Sequence, residues 1–172
     1  MARQNHSPAT YFSEDQGAKV EGERVYLDRG LVRELISSIP SGWTYRAGNP
    51  ERFLPFRGKH SIFVPMTGAP FIRDLDDVRR WPTMADLNMF HKLAHMSPAL
   101  HSTAHHIVEP MDMKVSHRHL AITCSSMKHS DKTFMGMTTS GKNAEDVMDM
   151  WEILFGADVM EETPGGGGGG AK

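Results

Sequence analysis

Cysteine is nearly absent from this chain. Cys124 is the only one in 172 residues, which excludes an internal disulfide and fits a reducing, cytoplasmic setting. An excess of charge of one sign is missing as well. Nineteen Lys and Arg stand against 21 Asp and Glu, for a formal net charge of −2. Without a basic surplus to neutralise phosphates, neither nucleic acid nor an anionic membrane is an expected partner. No apolar run approaches the roughly 20 residues of a membrane-spanning helix. The N-terminal "MARQNHSPATYFSEDQGAKVEG" lacks the uninterrupted apolar stretch of a secretory signal.

What is present in excess is methionine and histidine, thirteen and ten respectively. Methionine fills irregular gaps in a core. The histidines call for a metal test, because His101, His105, His106, His117, His119 and Cys124 fall within 24 positions. The spaced Cys/His pairs of zinc sites are absent, however. On a strand His101 and His105 would share one face and His106 the other, so polar loop positions are expected and no metal centre. His91 and His95, an i, i+4 pair with no third ligand, are expected at the surface.

Residues 1–17 are polar and aperiodic and read as a loose arm. The domain proper is expected over 18–162, and 163–172, with "PGGGGGGAK", as a disordered tail, since consecutive glycines have too much backbone entropy to lose. "AKVEGERVYL" (18–27) carries a hairpin signal around Glu21-Gly22. Asp28 is placed to cap a helix with Val32, Leu35, Ile36 and Ile39 at helical spacing. "WTYRA" (43–47) reads as a strand and 48–52 as a turn.

From residue 62 the pattern alternates: strand 62–65, helix 83–95, strand 99–105, helix 116–129, strand 133–138, helix 143–155. Thr83 with Asp86, and again Asn143 with Asp146, form capping boxes. Leu87, Phe90 and Ala94 make the expected stripe of the first of these helices. Leu120, Cys124 and Met127 make that of the second, and Val147, Met150, Trp151 and Leu154 that of the third. Gly156 closes the last as a C′ residue. Such alternation predicts right-handed βαβ units and a parallel sheet. No G-x-G-x-x-G follows any of the strands, so a dinucleotide-binding half has no support. A small open sheet or part of a (β/α) barrel remains, since a complete barrel takes eight units over about 250 residues.

Seven phrases then stand in order: "AGNPER" (47–52), "GAPFIRDLDDVRR" (68–80), "TMADL" (83–87), "VEPMDM" (108–113), "RHL" (118–120), "SDKTFMG" (130–136) and "AEDVMDMWEILFG" (144–156). Together they resemble the trimethylamine methyltransferase family, corrinoid-dependent enzymes built on a TIM barrel. Two departures, Gly48 for the usual Arg and Thr133 for the usual Pro, fall in turns. Family members are longer, and where they use pyrrolysine it lies beyond this stretch, so no such role transfers. The resemblance implies an α/β fold, a partial TIM (β/α) barrel with an N-terminal α+β lead-in. It implies transfer of a methyl group from a tertiary or quaternary amine, of trimethylamine or glycine betaine type, to Co(I) of a corrinoid (cobalamin) carried by a partner protein. No cofactor is then bound directly, and the chain is expected to be an incomplete fragment, inactive alone. Its uncovered strand edge and helix faces would favour homo-oligomers.

In a barrel the chemistry lies where strands end. The first end presents Met66, Thr67 and Gly68, followed by "APFIRDLDDVRR" (69–80), a loop that Arg73 with Asp74 or Asp76 with Arg79 would pin. The second presents Thr103, His105, His106 and Glu109, and the third Met137, Thr138 and Thr139. Candidate substrate-binding residues are Met66, Thr67, Gly68, Thr103, His105 and Thr138. Catalytic groups and metal ligands are not assigned. A non-catalytic α/β module or degenerate remnant, and more remotely a metal-dependent hydrolase, stay open as alternatives.

Overall fold

A computed structural model describes residues 17–22, 24–137, 139–157 and 169–170. The chain divides into two compact units, Met1–Ser41 and Gly42–Lys172. In the first, β1 (Lys19–Glu21) and β2 (Arg24–Tyr26) pair antiparallel with Val20 opposite Val25. Gly22 at φ +63° supplies the left-handed position that the reversal needs. Helix α1 (Arg29–Ser37) starts where the Asp28 carboxylate accepts the Gly30 N–H at 2.7 Å. Its apolar residues Leu35 and Ile36 are exposed, and no residue of α1 is buried.

The second unit opens with β3 (Gly42–Tyr45) antiparallel to β4 (Leu54–Arg57). Trp43 stacks on Phe56 across the pair at 4.2 Å. Between them Asn49 caps a single 3₁₀ turn, Pro50–Arg52. Tyr45 is buried and its hydroxyl donates to the Phe134 carbonyl at 2.6 Å; burial pushes the phenol pKa up.

The strand expected at 62–65 does not form. Phe63 and Val64 are exposed, and Pro65 has no N–H to donate to a ladder. The chain is tied here at Phe63, whose carbonyl accepts the His101 N–H at 2.9 Å and whose N–H donates to His101 Nδ1 at 3.0 Å. The parallel contact arrives later, where Ala69 bridges Val108. The Gly68 N–H donates to the His106 carbonyl at 2.8 Å, and the Glu109 N–H to that of Ala69 at 3.0 Å.

The stretch after Gly68 is a small hairpin, β5 (Ile72–Arg73) against β6 (Arg79–Arg80). Its tip is held by the Asp74 carboxylate, which accepts the Asp76 and Val78 N–H groups at 3.1 and 2.9 Å. Neither expected pairing is made. Arg73 pairs with Asp77 at 2.6 Å, and Arg79 lies 3.7 Å over the Phe71 ring. Arg80 instead reaches the buried Asp86 with two hydrogen bonds of 2.7 Å.

Helix α2 (Met84–Met96) carries the expected Thr83–Asp86 capping box. Arg80 first, then the Thr83 N–H and hydroxyl, hold the Asp86 carboxyl well below the usual carboxylate range. Strand β7 (Ser102–Ala104) runs parallel to β8 (Thr133–Phe134), with Ser102 opposite Thr133. Helix α3 (Val115–His129) connects them, and α4 (Gly141–Phe155) follows β8. Finally β9 (Gly169–Gly170) pairs antiparallel with Thr44 and Tyr45 of β3; the rest of the tail lies outside the described residues. The fold is thus mixed α/β, with four described helices and small sheets, none closed.

One core gathers Leu87, Val108 and Ile122, with Ala69, Ile72 and Phe90 packed against it. A second joins Phe134, Val147 and Trp151. A Cβ on Gly136 would overlap the Val147 side chain, so glycine there lets α4 approach β8.

Three local expectations need correction. The buried face of α3 is His119, Ile122, Thr123, Ser125 and Ser126, not the Leu120, Cys124, Met127 stripe. Helix α4 is capped by Ser140, whose hydroxyl accepts the Asn143 N–H at 3.2 Å, while Asp146 turns to His119 at 2.9 Å. His91 is not at the surface but fully buried. Its Nδ1–H donates to Ser125 Oγ at 2.8 Å, because the one Ser125 proton goes to Asn88 Oδ1 at 2.6 Å. Lys132, which the pattern gave no role, is buried and closes the C-terminal end of α2. Its Nζ donates to the carbonyls of Ala94, Ser97 and Leu100 at 2.8, 2.7 and 2.6 Å.

Candidate functional site

Beyond β7 the chain turns sharply. Ala104 takes φ +58°, a left-handed conformation rare for a residue with a Cβ. The turn delivers two consecutive histidines, His105 and His106, whose Nδ1 atoms face each other. His106 Nε2 donates to Glu109 Oε2 at 2.8 Å. The other Glu109 oxygen accepts from Arg118 Nη1 at 2.6 Å, and Arg118 Nη2 donates to the Met113 carbonyl at 3.0 Å. Residues from the β7 exit and from the first turns of α3 are thereby locked into one cluster.

Burial fixes the charge states. It pushes the His105 pKa down to about 4, with the neighbouring His106 contributing. Burial also lowers that of His106, although the Glu109 carboxylate pulls the other way. Near neutral pH the cluster therefore holds two uncharged imidazoles beside one internally compensated ion pair. Among the described residues His105 Nε2 and Arg118 Nε are buried with no hydrogen-bond partner, an uncommon condition that leaves capacity for a ligand atom.

Gly68 sits against this cluster. At φ +73° it turns the chain, and a Cβ there would come within 3.5 Å of His106 Nε2. Met66 and Thr67, just before it, are exposed, Met66 at 77%. Thr103, in β7, is fully buried, with its hydroxyl donating to the Thr133 carbonyl at 3.4 Å. Thr138 falls outside the described residues. Of its neighbours, Met137 packs on the first core, and Thr139 Oγ1 accepts from Asn143 Nδ2 at 2.9 Å. The structure thus brings Gly68, His105, His106 and Glu109 together and buries Thr103 in β7 against Thr133.

The remaining histidines disperse. His101 serves Phe63, His117 is exposed, and His119 pairs with Asp146. Among the described residues no three His, Cys, Asp or Glu side chains converge as a metal site. Also among them, no helix is long and apolar enough to cross a membrane.

Arg118 was missed by pattern reading. It stands in the phrase "RHL", yet nine positions from Glu109 is no helical or strand period that would join the two. Also unforeseen is an open depression of about 440 Å³ at the start of α2, lined by Trp81, Pro82, Thr83, Met111 and Asp112. Phe71, outside the lining, packs on Trp81 at 4.1 Å.

Comparison with known proteins bears out the family resemblance. The sequence model of the family described as Trimethylamine methyltransferase (MTTB) matches residues 3–166. Glycine betaine methyltransferase of Desulfitobacterium hafniense (strain Y51) is 41% identical over 160 residues, covering 92% of this chain and 33% of that protein. The chain thus spans about a third of the length of the curated relative it matches. On the family match, which takes in nearly all of its residues, the chain belongs to the trimethylamine methyltransferase family.

Proposed function

We propose that this chain is part of an enzyme that moves a methyl group from a tertiary or quaternary amine to Co(I) of a corrinoid carried by a partner protein. The observation that carries the reading is the family match over residues 3–166, joined to a relative named for glycine betaine. In such a transfer the Co–C bond forms as the C–N bond breaks, and the electron pair leaves with nitrogen as a neutral amine, a quaternary amine reacting as it stands and a tertiary amine as its protonated ammonium ion. The cobalt is the methyl acceptor and belongs to the second substrate.

For the fold we propose a partial (β/α) barrel. Supporting it are two parallel contacts, Ala69 with Val108 and β7 with β8, each segment followed by a helix. The strand-end cluster would then lie at the catalytic mouth. Met66, Thr67, Gly68 and His105 are proposed to face the amine, with Thr103 buried in β7 and Thr138 on the next strand end. The uncharged imidazoles suit this role, because they bring a polar wall without repelling an ammonium. A cytoplasmic setting and self-association through exposed apolar residues such as Leu75 and Ile153 complete the proposal.

The test is methylation of a Co(I) corrinoid protein by trimethylamine or glycine betaine, followed spectroscopically. The 172-residue chain alone is expected to show none, because closing a site around a small cation takes groups from several strand ends. A chain of the relative's full length that includes these residues should turn over. There, His105→Ala or Thr67→Ala should lower kcat/KM at least about tenfold, a typical loss for a positioning contact. Robust turnover by the short chain, or unchanged turnover in both variants, would refute the site.

A further inference from the structure

We propose that the depression at the start of α2 is a binding site for a methylated ammonium cation, separate from the strand-end cluster. The assignment goes beyond the transfer reading, since it concerns a second site and binding alone.

The walls supply what a soft, weakly hydrated cation needs. Trp81 is half-exposed, at 54%, and indole is the aromatic ring with the most negative face. Phe71 packs on it at 4.1 Å, and the Arg79 guanidinium in turn lies 3.7 Å from the Phe71 ring. Phe71 is therefore already engaged by a cation, and Trp81 is the ring that lines the depression. Met111 adds a polarizable thioether, and its N–H is tied to the Pro82 carbonyl at 2.9 Å, which joins the two sides of the depression.

Charge points the same way. Arg80, the nearest basic residue in sequence, is spent on Asp86. Asp112 has no ion-pair partner among the described residues. One of its oxygens accepts the Met84 N–H at 2.9 Å, which orients the carboxylate; the other has no hydrogen-bond partner among the described residues. An aromatic wall, a thioether and an unpaired carboxylate around one open depression make a site that favours a positive, methyl-covered ligand over an anion or a neutral solute. A single aromatic wall gives weak capture and not a cage.

The probes are choline and its uncharged isostere 3,3-dimethylbutan-1-ol, titrated into the 172-residue chain by calorimetry and tryptophan fluorescence. Choline should bind saturably and the isostere at least about tenfold more weakly. Trp81→Leu should weaken choline by a similar factor. Asp112→Asn keeps an oxygen for the Met84 N–H while removing the charge, and should weaken it about threefold. Thermal melts establish that each variant is folded; if Trp81→Leu is not, Asp112→Asn and the isostere carry the decision. No saturable choline binding, equal binding of the isostere, or parent-like affinity in Asp112→Asn would each overturn the site. None of these results bears on methyl transfer, which is read on the cobalt.

Discussion

The seam between α2 and α3 and the cluster beyond β7 both bury histidine, and both hold it uncharged. His91 in the seam and His105 in the cluster are each brought down to about 4, burial being the largest cause in both. Their hydrogen bonds separate them. His91 is answered at both nitrogens, at Nδ1 by Ser125 and at Nε2 by Ser126, 3.4 Å away. His105 keeps an unpartnered Nε2. A saturated buried network specifies packing, whereas a buried polar atom left unanswered is costly unless something else meets it. The same residue type, equally neutral, thus serves architecture in one place and is available for chemistry in the other.

Acid has the largest expected effect and acts on both histidines, since both are held at about 4. His91 sits at about 4 when folded and at its ordinary 6.5 when unfolded, so between these values the unfolded chain binds more protons. Stability is therefore complete above about pH 6.5 and is lost as pH falls through about 4, by up to about 3 kcal/mol from this residue. Urea midpoints measured at pH 7 and 4.5 should show it. The slope should flatten in His91→Ala, and an unchanged slope would place the titration elsewhere.

At pH 7 the same His91→Ala change should cost about 2 kcal/mol, through a cavity and two buried hydroxyls left short of a partner. Chemical denaturation checks it. The smallest effect belongs to the cluster. His105→Ala removes one hydrogen bond to His106 but an unpartnered Nε2 with it, and its thermal stability should change by about 1 kcal/mol or less. If His105→Ala proves as damaging as His91→Ala, the cluster is architectural too, and its claim to a ligand falls.

Local signals were legible wherever the physics is local. The Asp28 cap, the Thr83–Asp86 box and the Gly156 terminus at φ +89° all involve groups within a turn of one another, and helix positions followed from them. The Ser140 cap was overlooked because Asn143 and Asp146 offered the same spacing, and Asp146 was drawn off by His119 on another helix. The strand placed at 62–65 failed for a related reason. Its apolar run is real, but a strand exists only against a neighbour, and the neighbouring segment pairs with Gly68 and Ala69 instead. In the candidate site, Gly68, His105 and Glu109 stood out as strand-end residues, while Arg118 and Lys132 did not.

By itself the sequence determined the helices, the Asp28 and Thr83 caps, the two strands at 102–104 and 133–134 and the family, because these depend on short-range hydrogen bonds and on residue order. Only the tertiary structure decided which faces were buried. It turned α3 so that serines and threonines meet His91 and drew Lys132 onto the end of α2. It also set Arg118 on Glu109 and Trp81 beside Asp112. Such partners lie nine to 38 positions apart, and no periodicity carries that information. What selects them is the requirement that every buried donor and acceptor find an answer somewhere in the folded chain.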